Sequence, residues 1–308
     1  MSPANVDPDG PPVPKAEGRV PVSVIIPYGG GHRQWLTNQL TAVITSIDAY
    51  TDTPTNVLIS IAANSPDALI DANHVLDRGR LRDRASVVDA TAKRGPSFAR
   101  NSGVNAANAD KLLFCDADDV VDLPWVQELC DALDESDIAI GVHKYDAINT
   151  ESSARGWVVD QELPSRFGHL PFGSSSAMGV RGDVFARIGG FDESLRCGED
   201  LDLCWRAQYS GATIALAPDA TIQYRLRPGI GTQFVQTFRY GIGDAQLMRR
   251  HRKQGARRSL AQGLKAILGM VHHSIGIIFG PARQRSAYRA GYVVGHIFGS
   301  VRYQVWVA

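Results

Sequence analysis

Three acids follow a short apolar run at Asp116-Ala117-Asp118-Asp119, directly after Lys111-Leu-Leu-Phe-Cys115. Carboxylates gathered at a strand tip repel one another, and a divalent cation removes that penalty while leaving coordination positions for phosphate oxygens. Asp118 and Asp116 are therefore candidate ligands for Mg2+ or Mn2+. For Asp119 and Asp122 an acidic turn capping the next helix is an equal expectation. A second acidic group, Gly198-Glu199-Asp200-Leu-Asp202, opens a helix, where the macrodipole favours negative charge. Capping alone does not explain why a second acid pair, Trp205 and Arg206 gather in the same turn.

These groups need a scaffold, and the hydrophobic pattern supplies one. Val22 to Ile26 is a β-branched run ended by Pro27 and a Gly29-Gly30-Gly31 loop, after which Trp35, Leu36, Leu40, Val43, Ile44 and Ile47 recur at helical spacing. Further strands over 56–62, 85–88 and 111–115 alternate with helices over 67–76 and 97–108, which predicts an α/β fold with a mostly parallel sheet flanked by helices. Beyond the first acids the pattern predicts helices over 124–133, 183–188 and 199–209 and strands over 138–142 and 213–217, with a Gly/Ser-rich loop at 172–176. Binding sites in such sheets lie just beyond the carboxyl ends of the strands. That rule singles out 27–31, 62–65 and 116–119.

The 308 residues are 44% hydrophobic, which excludes a chain disordered throughout, and 32 basic side chains match 32 acidic ones, which speaks against a nucleic-acid binder. The balance conceals two unlike parts. Residues 229–308 hold twelve Lys and Arg against one acid, Asp244, so an acidic domain over 20–228 precedes a basic helical extension, and a Pro/Gly-rich flexible leader occupies 1–19. In the extension Leu260, Leu264, Ile267, Leu268, Val271, Ile275 and Ile278 fall within an arc of about 100°. Arg249-Arg250-His251-Arg252-Lys253 lies nearby, and Gly291, Gly295 and Gly299 form a stripe that lets two helices approach closely. The extension is expected either to pack on the domain or on a second copy of the chain, or to lie on an anionic membrane, the reading the adjacent cations favour. Four cysteines without metal-like spacing, and the lack of a signal-length or membrane-spanning apolar run, point to a cytoplasmic protein, peripheral at most on the inner face of the membrane.

Over roughly 20–227 the sequence resembles the inverting family 2 glycosyltransferases of the GT-A fold. Four blocks occur in that family's order: Val22-Ser-Val-Ile-Ile-Pro27-Tyr28, Arg94-Gly95-Pro-Ser-Phe-Ala99-Arg100-Asn101-Ser-Gly103, Asp116-Ala-Asp118-Asp119, and Gly189-Gly190-Phe191-Asp192-Glu193 with Gly198-Glu199-Asp200. The resemblance implies that Pro27 and Tyr28 border the nucleotide base, that Gly95 belongs to the donor side, and that Arg100 and Asp116 lie near the ribose and diphosphate. It further implies Asp118 as metal ligand, Asp200 as general base, and Glu199 as shaping the acceptor pocket. Trp205 and Arg206 follow one helical turn past Asp200, which makes them candidate acceptor contacts, with a buried core position an equal expectation for Trp205. Two positions depart from the family pattern. Asn64 stands near the place of an acid that reads the base, and Gln223-Tyr224 stands where a metal-binding His is common, so that either Asp118 and phosphates alone hold the metal or Arg225 and Arg227 take over some neutralisation of the diphosphate. His143 and His169 are expected in ordinary surface or core roles. The function implied is metal-dependent inverting transfer from a nucleotide-sugar donor to a glycan or lipid-linked acceptor, of the kind used in cell-envelope polysaccharide synthesis. A Mg2+-dependent phosphohydrolase with Asp116 as nucleophile, and a non-catalytic nucleotide-sugar binding protein, are the alternatives.

Overall fold

The computed structural model describes residues 20–50, 57–154, 157, 159, 161–257 and 283–305. Strands β1 (Val20–Tyr28), β2 (Val57–Ala63), β3 (Ala85–Asp89) and β4 (Ala109–Cys115) alternate with helices α1 (Arg33–Ala49), α2 (Pro66–Gly79) and α3 (Pro96–Ala107). They are followed by β5 (Val120–Val121), α4 (Trp125–Glu135), β6 (Ile138–Lys144), a single turn α5 (Glu151–Ala154), β7 (Ala177–Arg181), α6 (Gly182–Arg187), α7 (Glu199–Tyr209) and β8 (Ile214–Gln223). Two long helices, here α8 (Ile230–His251) and α9 (Arg283–Tyr303), complete the described elements. The leader over 1–19 and the amphipathic segment over 260–278 lie outside the described residues.

One sheet runs in the order β3-β2-β1-β4-β7-β6-β8-β5. β3, β2, β1 and β4 are mutually parallel, as the strand-helix alternation predicts. β7 then enters antiparallel to both β4 and β6, and β5 lies antiparallel to β8. The sheet is therefore mixed at this end. Neither β5 nor β7 is visible in the sequence pattern, because two residues are too few for a period and Ala-Met-Gly-Val-Arg lacks the β-branched run that marks β1. The strands at the sheet centre are apolar on both faces, as strands covered on both sides must be. Val24, Ile26 and Leu113 enter one buried cluster with α1, α2 and α4, while Ile25, Leu112 and Phe114 enter another on the opposite face.

The second cluster also takes in Trp205 of α7 and Ala245, Leu247 and Met248 of α8, so the first long helix shares a core with the sheet. α9 lies against α8 along its glycines. A Cβ at Gly295 would sit 2.2 Å from the Phe238 carbonyl oxygen, and one at Gly291 would sit 2.4 Å from that of Phe234. The stripe in the sequence thus permits backbone-to-backbone packing of these two helices.

Candidate active site

The first glycine turn and the acidic loop meet at the carboxyl ends of β1 and β4. Their placement depends on residues far away in sequence. Gln39 of α1, fully buried, donates from Nε2 to the Asp116 carbonyl at 3.0 Å and accepts the Val121 N–H at 3.0 Å, clamping the turn that presents Asp116 to Asp119. Gly103 allows α3 to lie directly on β1, since a Cβ there would meet Ile25 Cγ2 at 2.7 Å. That close approach brings Arg100 down to the strand tips, where only 4% of its side chain is exposed. It donates to Asp116 Oδ1 at 2.8 Å and to Glu199 Oε1 at 3.1 Å, and so joins the two acidic blocks. Burial works against its charge, yet Asp116 and Glu199 outweigh that and raise its pKa.

The neighbouring residue of the same block does a second job. Asn101 Nδ2 donates to the Phe191 carbonyl at 2.9 Å and to Glu193 at 3.1 Å, and its Oδ1 accepts the Phe191 N–H at 3.0 Å. The Gly189-Gly190 turn, with φ of +76° and +69°, is thereby held against α3. It delivers the chain to Gly198, whose φ of +78° starts α7 with Glu199 and Asp200 in its first turn. Asp200 accepts the N–H of Leu201 at 2.9 Å and a backbone hydrogen bond from Ser175 in the Gly/Ser-rich loop. Burial, reinforced by the charge of Glu199, pushes its carboxyl up to about 7. The helix N-terminus favours the anion, so burial is the stronger influence here.

Asp116, Asp118 and Asp119 each bring a carboxylate oxygen within 4.8 Å of the others. Burial and then Asp116 raise the pKa of Asp118; burial, then Asp118 and Asp116, raise that of Asp119 well above its ordinary value. Asp119 accepts the Arg225 N–H at 2.8 Å, while its other oxygen is buried and without a partner. An all-oxygen cluster that resists ionisation fits a hard divalent cation. Gln223, by contrast, spends its carbonyl oxygen on the Ala147 N–H at 3.1 Å. The Tyr224 phenol is held protonated, first by burial.

Pro27, Tyr28, Asn64, Gly95, Arg100, Asp116, Asp118, Glu199, Asp200 and Arg227 line one cleft of about 760 Å3. Four expectations need correction. Trp205 has no exposed surface and donates its indole N–H to the Leu170 carbonyl at 2.9 Å, so it is a core residue and offers no stacking face. Arg206 pairs with Asp202 at 2.6 Å and donates to the carbonyls of Ile188 and Gly190, supporting the glycine turn from behind. Arg225 lies over the Trp35 ring at 4.6 Å and donates to the Asp118 carbonyl at 2.6 Å; it braces the acidic turn without lining the cleft. Asn64 lines the cleft, but its amide donates to the carbonyls of Ala90 and Lys93 and accepts the Gly95 N–H, which closes loops and leaves no donor for a base. Arg227 sits 3.6 Å from Asp118 with half its side chain exposed, as charge compensation requires.

Sequence reasoning overlooked several lining residues. His32 and Trp35, stacked at 3.7 Å, line the cleft at the end of Pro27 and Tyr28, and His143 bonds Ser176 at 2.8 Å while burial lowers its pKa to about 4. Beyond Asp200, Tyr145, Trp157, Arg166, Tyr240, Asp244, Tyr288 and Tyr292 extend the wall. Five of the seven are aromatic, a signal that says nothing of position, and Arg166 and Asp244 carry no local mark at all. The basic cluster is partly consumed internally: Arg250 pairs with Asp192 at 2.5 Å and Asp202 at 3.1 Å, and His251 meets Asp202 at 2.9 Å.

Residues 23–189 match the model of glycosyl transferase family 2, and residues 111–306 that of glycosyl transferase family group 2. The pre-mycofactocin glycosyltransferase of Mycobacterium tuberculosis is 28% identical over 197 residues, 59% of this chain and 41% of that protein. The succinoglycan biosynthesis protein ExoO of Rhizobium meliloti is 27% identical over 179 residues, 53% of this chain and 51% of that protein. The chain thus spans about half or less of the length of these curated relatives. Among solved structures, S. aureus TarS 1–349 in complex with UDP-GlcNAc superposes with a TM-score of 0.52 at 16% identity, covering 94% of this chain and 93% of that one. The mannosyltransferase PcManGT from Pyrobaculum calidifontis, in complex with GDP-Man and Mn2+, gives 0.58 at 14% identity, covering 93% and 89%. Such likenesses establish the GT-A fold, and the family match displaces the phosphohydrolase alternative for Asp116. More than half of its residues fall within the first of the two models, and the chain belongs to glycosyl transferase family 2.

Proposed function

We propose that the chain transfers a sugar from a nucleoside-diphosphate donor to a hydroxyl of a glycan or lipid-linked acceptor, with inversion, and that Asp200 is the general base. The observation that carries this reading is that Asp200, its carboxyl pushed up to about 7 by burial, lines the same cleft as Asp116 and Asp118 of the three-carboxylate cluster. Asp200 removes the proton of the acceptor hydroxyl as its oxygen attacks the anomeric carbon. The bond from that carbon to the diphosphate oxygen breaks on the opposite face, and the nucleoside diphosphate departs. The N–H groups of Leu201 and Ser175 hold the carboxylate in one orientation, while Arg227 offsets negative charge beside Asp118. A divalent cation held by Asp118 and Asp116 would neutralise the leaving diphosphate. TarS with UDP-GlcNAc and PcManGT with GDP-Man and Mn2+ support donor and cation class.

Thermal-shift measurement with a series of nucleoside diphosphates, with and without Mn2+, tests the donor side. A ligand at 100 times its Kd should stabilise the chain by about 2.7 kcal/mol. The Mn2+-dependent part of the shift is expected to vanish in Asp118→Asn. A chain unmoved by every nucleotide would sink the transferase reading.

Free cysteines throughout support a reducing, cytoplasmic setting. Among the described residues no helix is long and apolar enough to cross a membrane. Phe298 and Val301 of α9 are nonetheless 53% and 78% exposed, near the exposed Arg302, and Val235 of α8 is 47% exposed. These groups support peripheral contact with an anionic membrane. The full chain should float with vesicles containing phosphatidylserine or phosphatidylglycerol, and Phe298→Ser with Val301→Ser should float less; equal flotation of both would refute this contact.

A further inference from the structure

Past Asp200 the cleft follows an aromatic wall that none of the four sequence blocks supplies. The rings of Tyr224, Tyr145, Trp157, Tyr288 and Tyr292 succeed one another with centroids 6.1, 5.2, 5.0 and 6.0 Å apart. All five line the cleft and are partly exposed. Tyr224 lies within electrostatic reach of Asp116 and Asp119, so the row begins beside the acidic cluster and ends on α9. Tyr240 of α8 lies within similar reach of Asp200 and Tyr288, which ties the far end of the wall to the acceptor side. Trp157 and Tyr288 meet at 87°, giving two ring planes at a corner.

The charged pair that shares the wall with these rings, Arg166 and Asp244, is mutually compensated. Arg166 donates to both oxygens of Asp244 at 3.0 Å, and Asp244 also accepts from Tyr292 at 2.9 Å and His296 at 2.8 Å. This network and the glycine packing of α8 on α9 fix the rings before any ligand arrives. Aromatic faces with hydroxyl rims, beside a charged pair that is already compensated, suit the C–H face and hydroxyls of a pyranose better than they suit a phosphate.

We infer that this wall, built from outside the four sequence blocks, is the acceptor subsite, and that it takes a neutral pyranoside seated at the Trp157–Tyr288 corner. That assignment as acceptor rests on the transferase reading; the sugar binding itself does not. Saturation-transfer NMR on the full chain, with methyl β-D-glucopyranoside and methyl α-D-mannopyranoside as neutral probes and glucose 1-phosphate and methyl glucuronide as anionic ones, tests it. The neutral glycosides should bind and the anionic ones should not. Tyr288→Ala should weaken the neutral binding about tenfold, whereas Tyr288→Phe, which keeps the ring, should weaken it by less than about threefold. Preference for the anionic probes, absence of glycoside binding, or equal binding by Tyr288→Ala and by Trp157→Ala would each overturn the assignment. Should the alanine variants fail to fold, the contrast between neutral and anionic probes on the unaltered chain decides it. A nucleoside diphosphate shift measured on the same samples separates the two readings. Glycoside binding without nucleotide binding removes the transferase and leaves the sugar site, and nucleotide binding without glycoside binding does the reverse.

Discussion

Asp200→Asn should lower kcat by about 10²- to 10⁴-fold, the range a positioned general base contributes, and should leave the nucleotide-induced thermal shift unchanged. Asparagine keeps the shape and can still accept the Leu201 N–H, but it loses the proton-accepting oxygen and the negative charge. The pH profile supplies an independent sign. A carboxyl raised to about 7 is protonated below that pH, so kcat/KM should fall about tenfold per unit as pH drops below 7 and level off above it. Stability runs the other way. A carboxyl whose folded pKa lies above its unfolded value favours the folded state when protonated, and that contribution is lost as pH rises through 7. Above pH 7 the Asn variant should therefore melt at a higher temperature than the unaltered chain, and below about pH 4 at the same temperature. A rate loss accompanied by a lower melting temperature at pH 8 would point to misfolding and not to a missing base.

The contrast between what the sequence announced and what it concealed follows from the range of the interactions. β1 to β4 were legible because each is an apolar run ended by a turn-forming residue or an acid, and the acidic tip of β4 is a local feature. The meeting of Asp116 with Glu199 was legible only through family order, since 83 positions separate them in the chain. Gln39 and Arg166 were invisible as site builders because their partners lie 77 and 78 residues away and nothing in their immediate neighbourhood marks them, and Asn101, though inside a recognised block, gave no sign of its partner 90 residues on. Trp205 misled for a related reason. Its spacing from Asp200 places it one turn on, but α7 is buried nearly all round, and the face that Trp205 occupies looks into the core beside Leu203 and Cys204. Periodicity reports which residues share a face and is silent on which face a ligand meets.

Arg100→Ala should be strongly destabilising. Its guanidinium is almost fully desolvated and forks between two acids on different blocks, while the ring of Phe191 packs 5.5 Å from it. Truncation leaves Glu199, 12% exposed, and Asp116, one-third exposed, facing each other without the intervening cation. Breaking a buried pair from one side costs about 3–5 kcal/mol, and the partial exposure of Asp116 argues for the lower end. Urea unfolding should register about 3 kcal/mol, with a midpoint shift at unchanged slope. Arg100→Lys should recover part of this, because it restores the charge but cannot reach both carboxylates with a rigid fork. In a double-mutant cycle Arg100→Ala with Glu199→Gln should be less destabilised than the sum of the single changes, because the second substitution removes the charge the first left stranded. Strict additivity would mean that the two acidic blocks are held together by packing alone, and Arg100 would then be a donor-side residue without a part in joining the two halves of the site.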